Sequence, residues 1–236
     1  MDSPEISGLS CPARRELKMV RLCNDVDILK YEPALFGEFH PKNQVLAAGM
    51  GGELAGTIFT ASGADFESAG IEPGGVIYLR SVDGAIDGVY EVVSVDSATQ
   101  LCVSVLRTDS EADPTSPPAA SDISYRISTL KPQAAQVSLR MTEYMWIRPG
   151  QSIGDLSVED ILDSDAIREV CAFGVIATAY KMLASNTSDE QLWNKGLHYE
   201  QLFSKGMERC RVELDKDGDG AADSIRYGGC GRLIRD

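Results

Sequence analysis

Histidine is almost missing from this sequence: only His40 and His198 occur among 236 residues. A zinc centre or a histidine-based hydrolase has little to build on. Basic residues are also short, 22 Lys and Arg against 36 Asp and Glu, for a formal net charge of −14. A chain this acidic is repelled by phosphate at long range, which argues against a sequence-specific nucleic-acid binder. It leaves room for a protein that DNA passes without sticking. No apolar run approaches the roughly 20 residues a membrane helix needs, so no span is expected. Arg14, Arg15, Glu16, Lys18 and Arg21 interrupt the first thirty residues, where a signal peptide would need an apolar stretch, and none is expected. The six cysteines form no CxxC pair and read as free thiols in a reducing compartment, mostly as small buried side chains. GxSxG, HExxH, GxxxxGK[ST] and a strand-borne GxGxxG are all absent, so no catalytic residue is assigned and an enzyme is not expected.

What is present divides the chain into four segments: an N-terminal arm with a short helix (1–46), a small β module (47–130), a helical bundle (131–213) and a C-terminal tail (214–236). The charge is uneven. Residues 47–130 hold 3 basic and 12 acidic residues, a net −9. The same segment is rich in Gly, Ser, Thr and Val, with five short β-type runs: 54–60, 76–79, 88–95, 101–106 and 123–128. Turn residues such as Glu72-Pro73-Gly74-Gly75 and Asp83-Gly84 separate them, the signature of a small antiparallel barrel or sandwich. Gly49-Met50-Gly51-Gly52 reads as a hinge ahead of this module. Thr108–Asp122, polar and holding three prolines, reads as an exposed loop.

Beyond Thr129 the period changes to that of helices. Pro132 suits a first helical turn, with Ala134, Val137, Met141 and Tyr144 at spacings of three and four. Pro149-Gly150 ends that element. A second helix is expected from Ser164 or Asp165 to about Ala184. Glu159, Asp160, Asp163 and Asp165 before it read as a solvated helix start favoured by the helix dipole. Ser188-Asp189-Glu190-Gln191 has capping-box form and should open a third helix running to about Glu213. The two should form an antiparallel hairpin. Gly174, Ala177 and Thr178 make the second helix slim, which suits close packing with a neighbouring helix or with another subunit. Trp146 and Trp193 are expected as packing anchors. The fold class is therefore α+β: about three helices with a small antiparallel β module inserted after an arm.

The most specific local pattern is Asp215-Lys216-Asp217-Gly218-Asp219-Gly220-Ala221-Ala222-Asp223. Asp215, Asp217, Asp219 and Asp223 occupy the carboxylate positions of a calcium loop, with Gly at position six. Position twelve is Arg226 instead of a bidentate Glu, and no helix of evident type follows. A polar turn explains the run more simply, so no cofactor is expected, calcium being the one alternative. Further on, Ile225, Tyr227, Leu233 and Ile234 alternate with Arg226, Arg232 and Arg235. Such a segment suits an extended strand docking on a partner's sheet or groove.

The run Asp25-Val26-Asp27-Ile28-Leu29-Lys30-Tyr31-Glu32-Pro33-Ala34-Leu35-Phe36 resembles the "DxDLLxxEPxLF"-like arm of a family of prophage and tailed-phage proteins. Residues 63–74, 90–93, 97–101 and 129–133 are similar to later runs of that family, in order. Leu214 to Asp223 with Arg232-Leu233-Ile234-Arg235 is similar to its "LDxDGDGxxD…RLxR" ending. The likeness extends from about Asp25 to Asp236; the first 20 residues, with Cys11-Pro12-Ala13-Arg14-Arg15, depart from it. Such proteins resemble head–tail connector (adaptor) subunits. The resemblance implies a homo-oligomer, a dodecameric ring in the virion neck beneath the portal protein, contacting further neck or tail proteins and passing duplex DNA without specific binding. A calcium-binding secreted adhesion or carbohydrate-binding module is the competing reading, motivated by the Asp loop and the β module. An enzyme using the β module to bind substrate is a third.

Overall fold

The structure is a computed structural model, and it describes residues 21–147, 160–162 and 165–228. Within them the chain is an α+β protein: a closed antiparallel barrel of six strands, three long helices and a short N-terminal helix.

The barrel strands are β1 (Val45–Ala55), β2 (Ile58–Thr60), β3 (Gly75–Ser81), β4 (Asp87–Ser97), β5 (Gln100–Ser104) and β6 (Ala120–Ser128), paired around the barrel as β1-β2-β5-β4-β3-β6. Closure comes from β1 pairing with β6, Val45 opposite Ser128 at one end and Leu54 opposite Ala120 at the other. Five of the strands fall where alternation and turn residues put strand structure. The run 54–60, however, is a hairpin: Gly56, at φ 63°, turns the chain between Ala55 and Ile58.

The expected hinge at Gly49-Met50-Gly51-Gly52 is instead the middle of β1. A Cβ on Gly49 would lie 2.7 Å from the Tyr125 ring and one on Gly52 2.6 Å from the Phe59 ring. Glycine is needed because this strand crosses directly over two core aromatics. Phe59, Phe66 and Tyr125 form that core, with ring centroids 5.3 to 6.3 Å apart. Closing the sheet also removes its edges, which would otherwise be open to pairing with other chains.

The helices are α1 (Asp25–Leu29), α2 (Lys131–Tyr144), α3 (Asp165–Thr187) and α4 (Glu190–Arg209). α3 is buried on most of its circumference, through Ile167, Cys171, Val175, Ile176, Ala179 and Tyr180. That explains its string of small and apolar residues: it is sandwiched by α1, α2 and α4. α3 and α4 form the expected hairpin. The cap is Asp189, accepting from the Gln191 and Leu192 amides, and Ser188 sits one residue earlier at φ 55°.

α4 stops at Arg209 rather than continuing to Glu213. Cys210 is extended, and β7 (Arg211–Leu214) pairs with β8 (Ser224–Tyr227) in a hairpin whose loop is the Asp-rich run. Val212 and Leu214 are buried while Arg211 is exposed, so alternation overrides the helical stripe there. The far side of β7 is bridged by Ile161, with the Leu162 amide donating to Glu213 and the Asp215 amide to Asp160.

Trp146 and Trp193 are not packing anchors. Trp146 is 72% exposed just past the end of α2, and Trp193 lies on the outer side of α4 with the Lys181 ammonium 5.9 Å from its ring. Pro149-Gly150, Glu159 and Asp163 lie outside the described residues.

Candidate functional site

Three acids of the N-terminal segment fix its short helix and tie it to the barrel–bundle junction and to the helices. Asn24 caps α1, accepting from the Asp27 amide at 2.9 Å while the Asp27 carboxylate accepts from the Asn24 amide at 3.0 Å. Asp25 is buried; its carboxylate accepts from the Thr129 hydroxyl at 2.7 Å and the Leu130 amide at 2.8 Å, across the junction of β6 and α2. Burial pushes its carboxyl pKa up, against the pull of those two donors.

Glu32, 6% exposed, is the hub of the third contact. Its Oε2 accepts from Tyr180 Oη at 2.6 Å and Lys195 Nζ at 2.7 Å, and its Oε1 from Tyr199 Oη at 2.8 Å. Burial alone would raise its pKa, but the hydrogen bonds from Lys195, Tyr180 and Tyr199 together hold it below the usual carboxylate range. Burial, and then the nearness of Glu32, pushes both phenols up, so they stay protonated and donate.

Between α1, α3 and the barrel lies a cleft of about 650 Å³, lined among others by Asp27, Lys30, Tyr31, Glu91, Arg107 and Arg168. Its charges are mutually satisfied. Arg107 donates to Glu91 at 2.7 Å, both side chains less than a tenth exposed, and its other guanidinium nitrogen donates to the carbonyls of Ser110 and Ala112. Lys30 and Arg168 both approach Asp27, at 3.7 and 3.8 Å, and the Tyr31 hydroxyl donates to Glu169 at 3.2 Å. The expected exposed loop after β5 is thus exposed along most of its length but anchored at its base. The two histidines sit in ordinary contacts: His40 Nδ1 lies 3.3 Å from the Gly37 carbonyl, and His198 packs edge-on against Tyr199.

The Asp-rich loop is a hairpin turn. Asp215, Asp217 and Asp223 each bring a carboxylate oxygen within 4.8 Å of the others, and Asp219 stands outside that group. These side chains also tie the turn. Asp215 accepts from the Gly218 and Gly220 amides at 2.7 Å, Asp223 from the Lys216 amide at 2.7 Å and Asp219 from the Ala221 amide at 2.7 Å. Those amides hold the Asp215 pKa down. Arg226, at position twelve, lies in β8. The loop offers three carboxylates but no bidentate acid to complete a calcium cage.

Gly174, Ala177 and Thr178 make their close contacts within the chain. A Cβ on Gly174 would lie 2.7 Å from Val137 Cγ1 of α2 and 2.9 Å from Phe203 Cδ2 of α4. Ala177 is buried where α4 passes closest: a Cβ on Gly196 would lie 3.4 Å from its carbonyl. The Thr178 hydroxyl donates to the Gly174 carbonyl of its own helix at 2.8 Å. The tail residues Ile225, Arg226 and Tyr227 belong to β8 and pair with β7 within the chain. Ile225 and Tyr227 nevertheless remain exposed. Arg232, Leu233, Ile234 and Arg235 lie outside the described residues.

Sequence reasoning missed the partners of Asp25 and Glu32, although Asn24 and Asp27 stand at capping spacing and three acids interrupt an apolar run. The fold and these contacts define a small-barrel α+β protein whose N-terminal segment is its keystone. Compared with family models, with curated proteins and with solved structures, the chain matches none. No helix among the described residues is long and apolar enough to cross a membrane.

Proposed function

We propose that the chain is a structural, non-catalytic subunit of a phage head–tail connector, a homo-oligomeric ring in the virion neck that adjoins the portal and further neck or tail proteins. One observation carries the reading. Asp25 to Phe36, the first of the ordered runs that carry the resemblance, contains the residues that tie the arm to the rest of the fold: Asp25 on Thr129 and Leu130 where β6 meets α2, Glu32 on Tyr180, Lys195 and Tyr199 of the helices. A motif built of such contacts specifies an architecture, so likeness in it is likeness in how the modules are held. The acidity of residues 47–130 adds support, because a negative wall does not trap passing DNA.

The test is to purify virions of the phage or induced prophage encoding the chain and label them with antibody to it. Label confined to the neck is expected; intact virions lacking the protein would overturn the reading. A gel shift at low salt should show no tight duplex binding, since attraction to phosphate is strongest there. The second reading, a calcium-binding secreted module, has the Asp215, Asp217 and Asp223 group in its favour. It requires a particle mass that changes when calcium is chelated.

A further inference from the structure

Cys23 and Cys171 are 148 residues apart in sequence and neighbours in space. Cys23 precedes α1, Cys171 lies in the second turn of α3, and their sulfurs are 3.1 Å apart. Both are buried, at 4% and 0% exposure. The surroundings hold the pair in place: the Ser138 hydroxyl of α2 lies 3.5 Å from Cys171 Sγ and accepts from the Leu22 amide at 2.9 Å. Cys23 also lines a cleft of about 300 Å³, together with Arg21, Asp25, Glu72, Lys131 and Arg168. The pair therefore lies beside a space that admits a small oxidant.

We propose that Cys23 and Cys171 are a latent cystine site: a dithiol in a reducing compartment that closes to a disulfide on exposure to peroxide, stapling the N-terminal segment to α3. A disulfide needs sulfurs about 2.05 Å apart, so closure asks for a movement of about 1 Å. The hydrogen bond from Cys23, with help from Ser138, draws the Cys171 thiol pKa down, while the same bond and burial push Cys23 up. Loss of one proton therefore leaves the negative charge on Cys171, with Cys23 donating to it across the 3.1 Å contact. The Cys171 thiolate attacks one oxygen of a peroxide admitted through the adjoining cleft. The O–O bond breaks, hydroxide departs and Cys171 becomes a sulfenic acid. Cys23 then attacks the Cys171 sulfur, gives up its proton and displaces water. Two thiols are oxidised by two electrons, and one peroxide is reduced to water and hydroxide. Of the other described cysteines, Cys210 is buried, while Cys102 is half-buried in the barrel.

The test uses the full chain. It is treated with hydrogen peroxide, its remaining thiols are alkylated, and it is digested without reductant for mass spectrometry. The expected result is a peptide pair joined through Cys23 and Cys171, two fewer titratable thiols, and a melting midpoint raised by roughly 10 °C, because the staple closes a very long loop. Dithiothreitol should reverse all three. Cys102→Ser should keep the shift, and Cys23→Ala should lose it. Should Cys23→Ala fail to fold, the cross-linked peptide from the unmodified chain still decides. Recovery of both residues as alkylated thiols, as sulfinic acids, or cross-linked to other cysteines would overturn the proposal.

Discussion

Replacing Glu32 with Ala tests the keystone most directly. The change removes the acceptor of three hydrogen bonds, and the three donors respond differently. Lys195, its side chain 44% exposed, recovers water, so its share is about 0.2–1 kcal/mol. Tyr199 is half-buried and partly recovers water too. Tyr180, fully buried, is left with a hydroxyl that has lost its acceptor, at about 1–3 kcal/mol. Together with the lost packing, the expected destabilisation is about 2–4 kcal/mol. For a chain of this length that lowers the melting midpoint by roughly 4–16 °C. A double-mutant cycle with Tyr180→Phe isolates the central contact and should return a coupling of about 1–3 kcal/mol.

The same group sets an acid limit. The folded Glu32 pKa is below its ordinary value near 4.5, so its stabilising contribution is complete above that pH. It is lost as pH falls through the folded value. Glu32→Gln, which cannot titrate, should flatten that part of the pH profile. A Glu32→Ala midpoint within about 2 °C of the unmodified protein, or a coupling near zero, would refute the argument.

Gly174→Ala should destabilise by about 1–3 kcal/mol in chemical denaturation, because its methyl meets Val137 and Phe203 at under 3 Å; an unchanged midpoint would mean that this contact relaxes freely. Arg107→Ala should speed cleavage by a Glu-specific protease at Glu111 in the loop after β5, since Arg107 ties that loop to Glu91, while cleavage within α3 and α4 stays slow. Millimolar calcium should raise the melting midpoint by less than 2 °C, the loop having no bidentate acid at Arg226; a saturable larger rise abolished by Asp215→Asn would establish the metal site.

Where residue pattern and physics agreed, the fold was legible. β3 to β6 are short β-type runs punctuated by Gly, Pro and Asp, and α3 and α4 are separated by Ser188 and the capping Asp189. β1 was hidden because its glycines erase alternation, and what explains them, the rings of Phe59 and Tyr125, comes from other strands. Arg211 to Leu214 satisfies both a helical stripe and a strand; the Asp-Gly turn decides, by bringing β8 back alongside. The slimness of α3 was readable, its cause was not: Val137 and Phe203 fill the notch from within the chain. The acids at 25 and 32 were visible as a motif, yet their roles depend on partners more than 100 residues away, beyond any local window.

That distance has a consequence in time. During synthesis the strands of the barrel are all present once Ser128 has emerged, but Tyr199 follows Glu32 by 167 residues. At about 5–20 residues per second, the arm waits roughly 8–33 s for its last partner. Through that interval Ile28, Leu29, Leu35 and Phe36, all buried in the finished protein, have no completed helical face to cover them. The nascent chain therefore carries an uncovered apolar N-terminal segment, beside a completed barrel for the later part of the wait, until α4 arrives.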